Sequence, residues 1–186
     1  LHSASVHEEE RKLLAQQKEA AHERAERGAA HYQKAKSLYK KGSLNKSIAE
    51  FERFIGADYP GLDGMKSSAR REVASIKKEL KTKVSSLLDQ CKALGARGQF
   101  KEAYKACDKA DDEDPANDTV KSEKAHMLGE LKRELKSIYE DSVLEESLGN
   151  VDSAKEKWKK IVKDDIEGGE YAGKARGKLI KYGIMP

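Results

Sequence analysis

Gly98-Gln99-Phe100-Lys101-Glu102-Ala103-Tyr104-Lys105-Ala106-Cys107-Asp108-Lys109-Ala110, closed by Asp114-Pro115, is the stretch on which the fold turns. Its glycine can take the left-handed conformation that stops a helix. Small or apolar residues then fall two, five, nine and twelve positions later: Phe100, Ala103, Cys107 and Ala110. Steps of three and four keep such residues on one helix face. The frame recurs twice, as Gly42 with Leu44, Ser47, Phe51 and Phe54, and as Gly149 with Val151, Ala154, Trp158 and Ile161. Seven positions before each glycine stands a small residue, Ala35, Cys91 or Ser142, which lets two helices of a hairpin approach closely.

Longer helical stripes lead up to the glycines. One runs Leu14, Ala21, Ala25, Tyr32, Ala35, Tyr39; a second runs Val73, Ile76, Leu80, Val84, Leu87, Cys91, Leu94; a third runs Leu128, Leu131, Leu135, Ile138. Alternating runs of β-branched and aromatic residues bounded by turns, which would signal strands, are missing. The spacing predicts long helices at 5–41, 63–97 and 117–148, short ones at 44–57, 100–112 and 151–164, and a last one at 170–181. Ser43 and Asn150 stand where side chains cap helix N-termini, and Gln99 holds the same place less well. The expected fold class is all-α, with alternating long and short antiparallel helices. Residues 1–28 read as a charged helical extension and residues 29–182 as the repeat domain.

The short-helix frame resembles the second half of the tetratricopeptide repeat, whose pattern ends A-x3-F…P. Segment 98–115 carries the likeness best. The family's tryptophan and its Leu-Gly pair are absent upstream. The glycines lie 56 and 51 residues apart, against about 34 in the standard unit, and lengthened first helices absorb the surplus. The chain is also similar to helical tails that follow forkhead-associated domains or membrane spans in some bacterial proteins. The resemblance implies a right-handed solenoid of hairpins whose concave surface holds a partner's peptide or helix, with no chemistry of its own.

Composition agrees with thin helical layers. Of 186 residues, 38% are charged and only 6% aromatic, too few rings for one thick core. The 37 basic and 33 acidic residues are interspersed, which argues against both disorder and a nucleic-acid footprint. No run approaches a membrane span in length. Because the sequence begins at Leu1 without methionine, it reads as a possible fragment, with an anchor or further domain upstream. The cytoplasm is the expected compartment, or the periplasm if such an anchor exists.

No catalytic constellation, cofactor motif or metal-ligand set stands out. His2, His7, His22, His31 and His126 lack partners at ligand spacing. Gly61-Leu62-Asp63-Gly64-Met65-Lys66-Ser67 is too short for a phosphate loop and reads as a helix start. Asp111-Asp112-Glu113-Asp114 lacks the glycine and glutamate of a calcium loop and reads as a solvated turn. The triplets at Asn45 and Asn117 fit the glycosylation pattern, which matters only in a eukaryotic secretory setting. Gly169, Gly173 and Gly177 suggest close packing of the last helix on a neighbour, and Trp158 reads as core. Cys91 and Cys107 are expected buried and reduced, a helical turn out of register and too far apart for a disulfide.

The candidate partner-binding residues are Tyr32, Lys36, Tyr39, Leu88, Lys92 and Tyr139. Tyr32, Leu88 and Tyr139 lie ten residues before their glycines, and Lys36 and Lys92 lie six before. Stacked hairpins would align them on one wall, suited to an acidic or amphipathic protein segment. The plain alternative is that the tyrosines cover neighbouring helices. The functional expectation is a non-enzymatic protein-binding scaffold, monomeric or weakly dimeric. Its rival is a coiled-coil oligomerisation protein without a groove.

Overall fold

A computed structural model describes residues 2–184, with side chains from residue 6 onward; Leu1, the His2 side chain, Met185 and Pro186 lie outside the described residues. Seven helices follow one another: α1 (His2–Lys40), α2 (Leu44–Gly56), α3 (Asp63–Ala96), α4 (Phe100–Glu113), α5 (Asp118–Ser147), α6 (Val151–Asp164) and α7 (Glu170–Lys181). No strand occurs among the described residues. The helices pack mostly against sequential neighbours, as in a helical array.

Each turning glycine ends its helix as anticipated. Gly42, Gly98 and Gly149 have φ of 76°, 72° and 84°. In each case the glycine N–H and the N–H after it bond back to the last helical turn, as in Gly98 to the Gly95 carbonyl and Gln99 to the Leu94 carbonyl. Gly183 repeats the arrangement at the end of α7. Ser43 and Asn150 do not cap with their side chains. Their ψ angles of 68° and 55° fall outside the extended region that aims a capping oxygen at the first turn. Asn117, with ψ of 100°, does accept from the Val120 N–H, and Asp165 caps α7 through the Ala172 N–H.

The structure divides into two compact units, one ending at Lys83 and one beginning at Val84. The division falls inside α3. At 34 residues, α3 is far longer than the 13- and 14-residue helices beside it in sequence, so its two halves belong to different cores.

In the first unit Phe51 and Phe54 are fully buried and meet the Tyr32 ring edge-on at 5.5 and 5.6 Å. Burying such rings stabilises by about 1.5–3 kcal/mol each. Ser47 donates to the Ala35 carbonyl at 2.8 Å, so the small residues mark a close helix approach. Gly28 is closed over by Tyr59 and Leu62. From residue 6 to residue 20 α1 is exposed throughout, and Leu14 is 52% exposed, so its apolar stripe enters the core only at Ala21.

The second unit holds two further cores. One gathers Leu131, Leu135, Trp158, Ile161, Ala175 and Leu179, with Tyr182 stacked on Trp158. The other surrounds Cys91, Ala103, Cys107 and Met127. Here the thiols are buried as expected but not reduced: Cys91 and Cys107 form a disulfide, with Cα atoms 5.4 Å apart. Cys91 lies five residues before the end of α3 and Cys107 seven after the start of α4. At 1.5 Å per residue this offset is about 3 Å along the axes, well short of a full turn. In the other two hairpins the same pair of positions holds a small residue and a large one, Ala35 with Phe51 and Ser142 with Trp158, all fully buried. In the middle hairpin two sulfurs fill that space.

The last helix also departs from expectation. Gly173 and Gly177 face open space, and only Gly169 is close-packed, against the Asp165 carboxylate. The α7 face that packs inward is Ala172, Ala175 and Leu179 instead.

Candidate functional site

The residues three positions before each glycine have a common use: they meet the helix after next. On α1 this is Tyr39, with Tyr32 seven residues before it. Tyr32 donates to Glu72 and Tyr39 to Glu79, each at 2.9 Å. The tyrosines and the glutamates are both seven residues apart, so two turns of α1 run beside two turns of α3. On α3 the residue three before the glycine is Gly95, where an added Cβ would lie 2.5 Å from Met127 Cε of α5. On α5 the corresponding residue is Glu146, which binds Lys178, Lys181 and Tyr182 at the end of α7. Ten before that glycine, Tyr139 leans on Tyr171 of α7 at 6.0 Å.

The predicted partner residues are thus divided. Tyr32 is only 9% exposed and belongs to the core, whereas Tyr39 is 42% exposed. Lys36 lies over the Tyr32 ring at 5.7 Å. These three are brought together in the first unit. In the second unit Leu88 packs on the disulfide core, Lys92 is exposed, and Tyr139 packs on the Trp158 core. Leu88 and Tyr139 therefore serve different cores.

Between α1 and α3 lies an open cavity of about 330 Å³, lined by Lys36, Tyr39, Lys40, Glu72, Ser75 and Ile76. Sequence reasoning found the α1 side and missed Glu72, Ser75 and Ile76. The signal was present in the matching seven-residue steps of Tyr32–Tyr39 and Glu72–Glu79. Burial, followed by the bond to Glu72, raises the Tyr32 pKa, and the bond to Glu79 raises that of Tyr39. Both phenols stay protonated and act as donors. The cavity presents an aromatic ring, an aliphatic side chain, two ammonium groups and one carboxylate.

The remaining polar clusters are hydrogen bonds and ion pairs within the fold. Glu50 is buried and bonded to His31 at 2.5 Å, with Lys34 and Arg53 near it, and the His31 contact leads in lowering its pKa. Lys124 sits between Asp108 and Asp111, so the acidic run is partly engaged rather than wholly solvated. His7 and His22 pair with Glu10 and Glu26 on exposed helix surface. Among the described residues no group of three or more His, Cys, Asp or Glu could hold a metal ion. Among them, too, no helix is long and apolar enough to cross a membrane. Comparison with protein-family models, curated proteins and solved structures finds no match to this chain.

Proposed function

We propose that the chain is a non-enzymatic scaffold, a tetratricopeptide-like right-handed array of hairpins, which holds a protein partner on its long first helices. The observation that carries this reading is the recurring joint three residues before each glycine. Tyr39 meets Glu79, Gly95 meets Met127, and Glu146 meets Lys178. A phenol–carboxylate hydrogen bond, an apolar contact and an ion pair occupy one geometric place. Reuse of a geometry with changing chemistry is what a stacking joint requires, and a catalytic site does not tolerate it. Stacked hairpins bury a thin core and leave an extended surface for partners. The exposed Tyr39 and the cavity beside it supply such a surface.

The buried Cys91–Cys107 bond supports an oxidising compartment, periplasmic or extracellular, over the cytoplasm, where such bonds are rare. A second reading has its own support. Val6, Leu13 and Leu14 are 48%, 56% and 52% exposed on the part of α1, residues 6–20, that stands clear of the core, which suits self-association through α1.

Photocrosslinking in the native host distinguishes the two. A crosslinking residue at Lys40 or Ser75 should capture a different protein. Adducts formed only at Leu13, and only with a second copy of the chain, would favour the oligomerisation arm and contradict the scaffold reading.

A further inference from the structure

We infer that the partner is an acidic amphipathic peptide segment, and that its docking place is the α1/α3 face around Lys36, Lys40, Arg71 and Lys78. This rests on the scaffold reading and narrows it to one face and one partner chemistry. The net charge of +4 conceals a partition. Up to Lys83 there are 18 basic and 12 acidic residues; from Val84 there are 19 and 21. The first unit therefore carries all of the excess.

Most acidic groups of its folded part are occupied from within. Glu50 faces His31, Lys34 and Arg53; Glu52 faces Lys77; Asp58 faces Arg24. Glu72 and Glu79 accept from neutral tyrosines, so they use up no cation. Lys36, Lys40, Arg71 and Lys78 make no ion pair among the described residues. Lys36 and Lys40 are one turn apart on α1. Arg71 and Lys78 lie four before and three after Ser75 on α3, one turn to either side of that wall residue. Lys36 and Lys40 line the cavity itself, with Tyr39 and Ile76.

That pattern selects the occupant. A carboxylate-rich segment satisfies the cations at the rim, and one apolar side chain fills the cavity against Tyr39 and Ile76. Nucleic acid fits worse, because it offers no aliphatic side chain to fill the cavity against Tyr39 and Ile76. An anionic bilayer leaves the cavity without an occupant.

The test is fluorescence polarisation of the full chain with a labelled helical peptide of about 16 residues, rich in Glu and with Leu at three- and four-residue steps. Companion probes are its Glu→Lys inversion, its leucine-free form, phosphatidylserine-containing vesicles and a single-stranded oligonucleotide. The acidic peptide should bind, and should weaken about tenfold or more between roughly 50 and 300 mM salt. Lys36→Glu with Lys40→Glu should weaken it about tenfold, and removal of the leucines should do the same. Lys109→Glu with Lys121→Glu in the second unit should leave binding within about twofold. Arg71→Ala with Lys78→Ala checks the other rim if the α1 variant loses helicity. The inference is overturned by failure of the acidic peptide to bind, by binding indifferent to both rim variants, or by capture of vesicles or oligonucleotide through these lysines in its place. Such a failure beside heterologous crosslinks elsewhere on the chain removes this site alone. No heterologous crosslink at any position removes the scaffold reading as well.

Discussion

Opening the Cys91–Cys107 bond should cost the second unit about 3 kcal/mol. The magnitude follows from the loop it closes. The cysteines are 16 residues apart. In the chain-entropy account a loop of about that size restricts the unfolded chain by about 3 kcal/mol. For a domain of about 100 residues, 1 kcal/mol moves the melting midpoint by about 4–8 °C, so reduction should lower it by roughly 12–24 °C. Both sulfurs are fully buried, so a phosphine reductant should act slowly on the native protein and quickly once denaturant opens it. The assay is circular-dichroism melting with and without reductant, alongside a thiol titration in denaturant without reductant. The oxidised protein should titrate no thiol, and reduction should raise its intact mass by the two hydrogens of one bond. Two titratable thiols in protein purified from an oxidising compartment, with identical melts in both conditions, would refute the register on which the bond depends.

Three further outcomes follow from packing and charge. Gly173→Ala with Gly177→Ala should stabilise by about 1–2 kcal/mol in denaturant titration, since both positions face open space and alanine favours a helix. Ala103→Leu should destabilise by about 1–3 kcal/mol by overpacking the fully buried centre of the second hairpin. Glu146 is held at a pKa of about 2 by its bonds to Lys178, Lys181 and Tyr182. A carboxylate depressed in the folded state adds stability above its unfolded value near 4.5 and loses it as pH falls toward 2. Acid titration of the wild type should therefore show that loss, and Glu146→Gln should flatten it.

Much of the fold was legible because glycine and helical period act locally. A left-handed residue at 42, 98 and 149 stops a helix whatever surrounds it, and stripes in steps of three and four name the buried face. Apart from the start of α1, the helix ends fall within one residue of those read from the pattern. What escaped depends on how helices meet. The cysteine pairing turned on a two-residue axial offset, which a repeat frame does not display. The glycines of α7 shared a spacing but not an environment: one meets Asp165, and two meet nothing. Ser43 and Asn150 had the right residue type and the wrong ψ. For the site, spacing identified the α1 residues and could not say that Tyr32 would turn inward while Tyr39 stayed exposed. Burial of Tyr32 is set by Phe51 and Phe54 on another helix.

The most direct test of the central claim is an amide chemical-shift map of the isotope-labelled chain, titrated with the acidic amphipathic peptide. Shifts confined to residues 34–41 of α1 and 71–79 of α3, on a background of seven helical segments interrupted at Gly42, Gly98 and Gly149, are the predicted result. A map whose shifts fall on α5 to α7, or on the first twenty residues of α1, would contradict it.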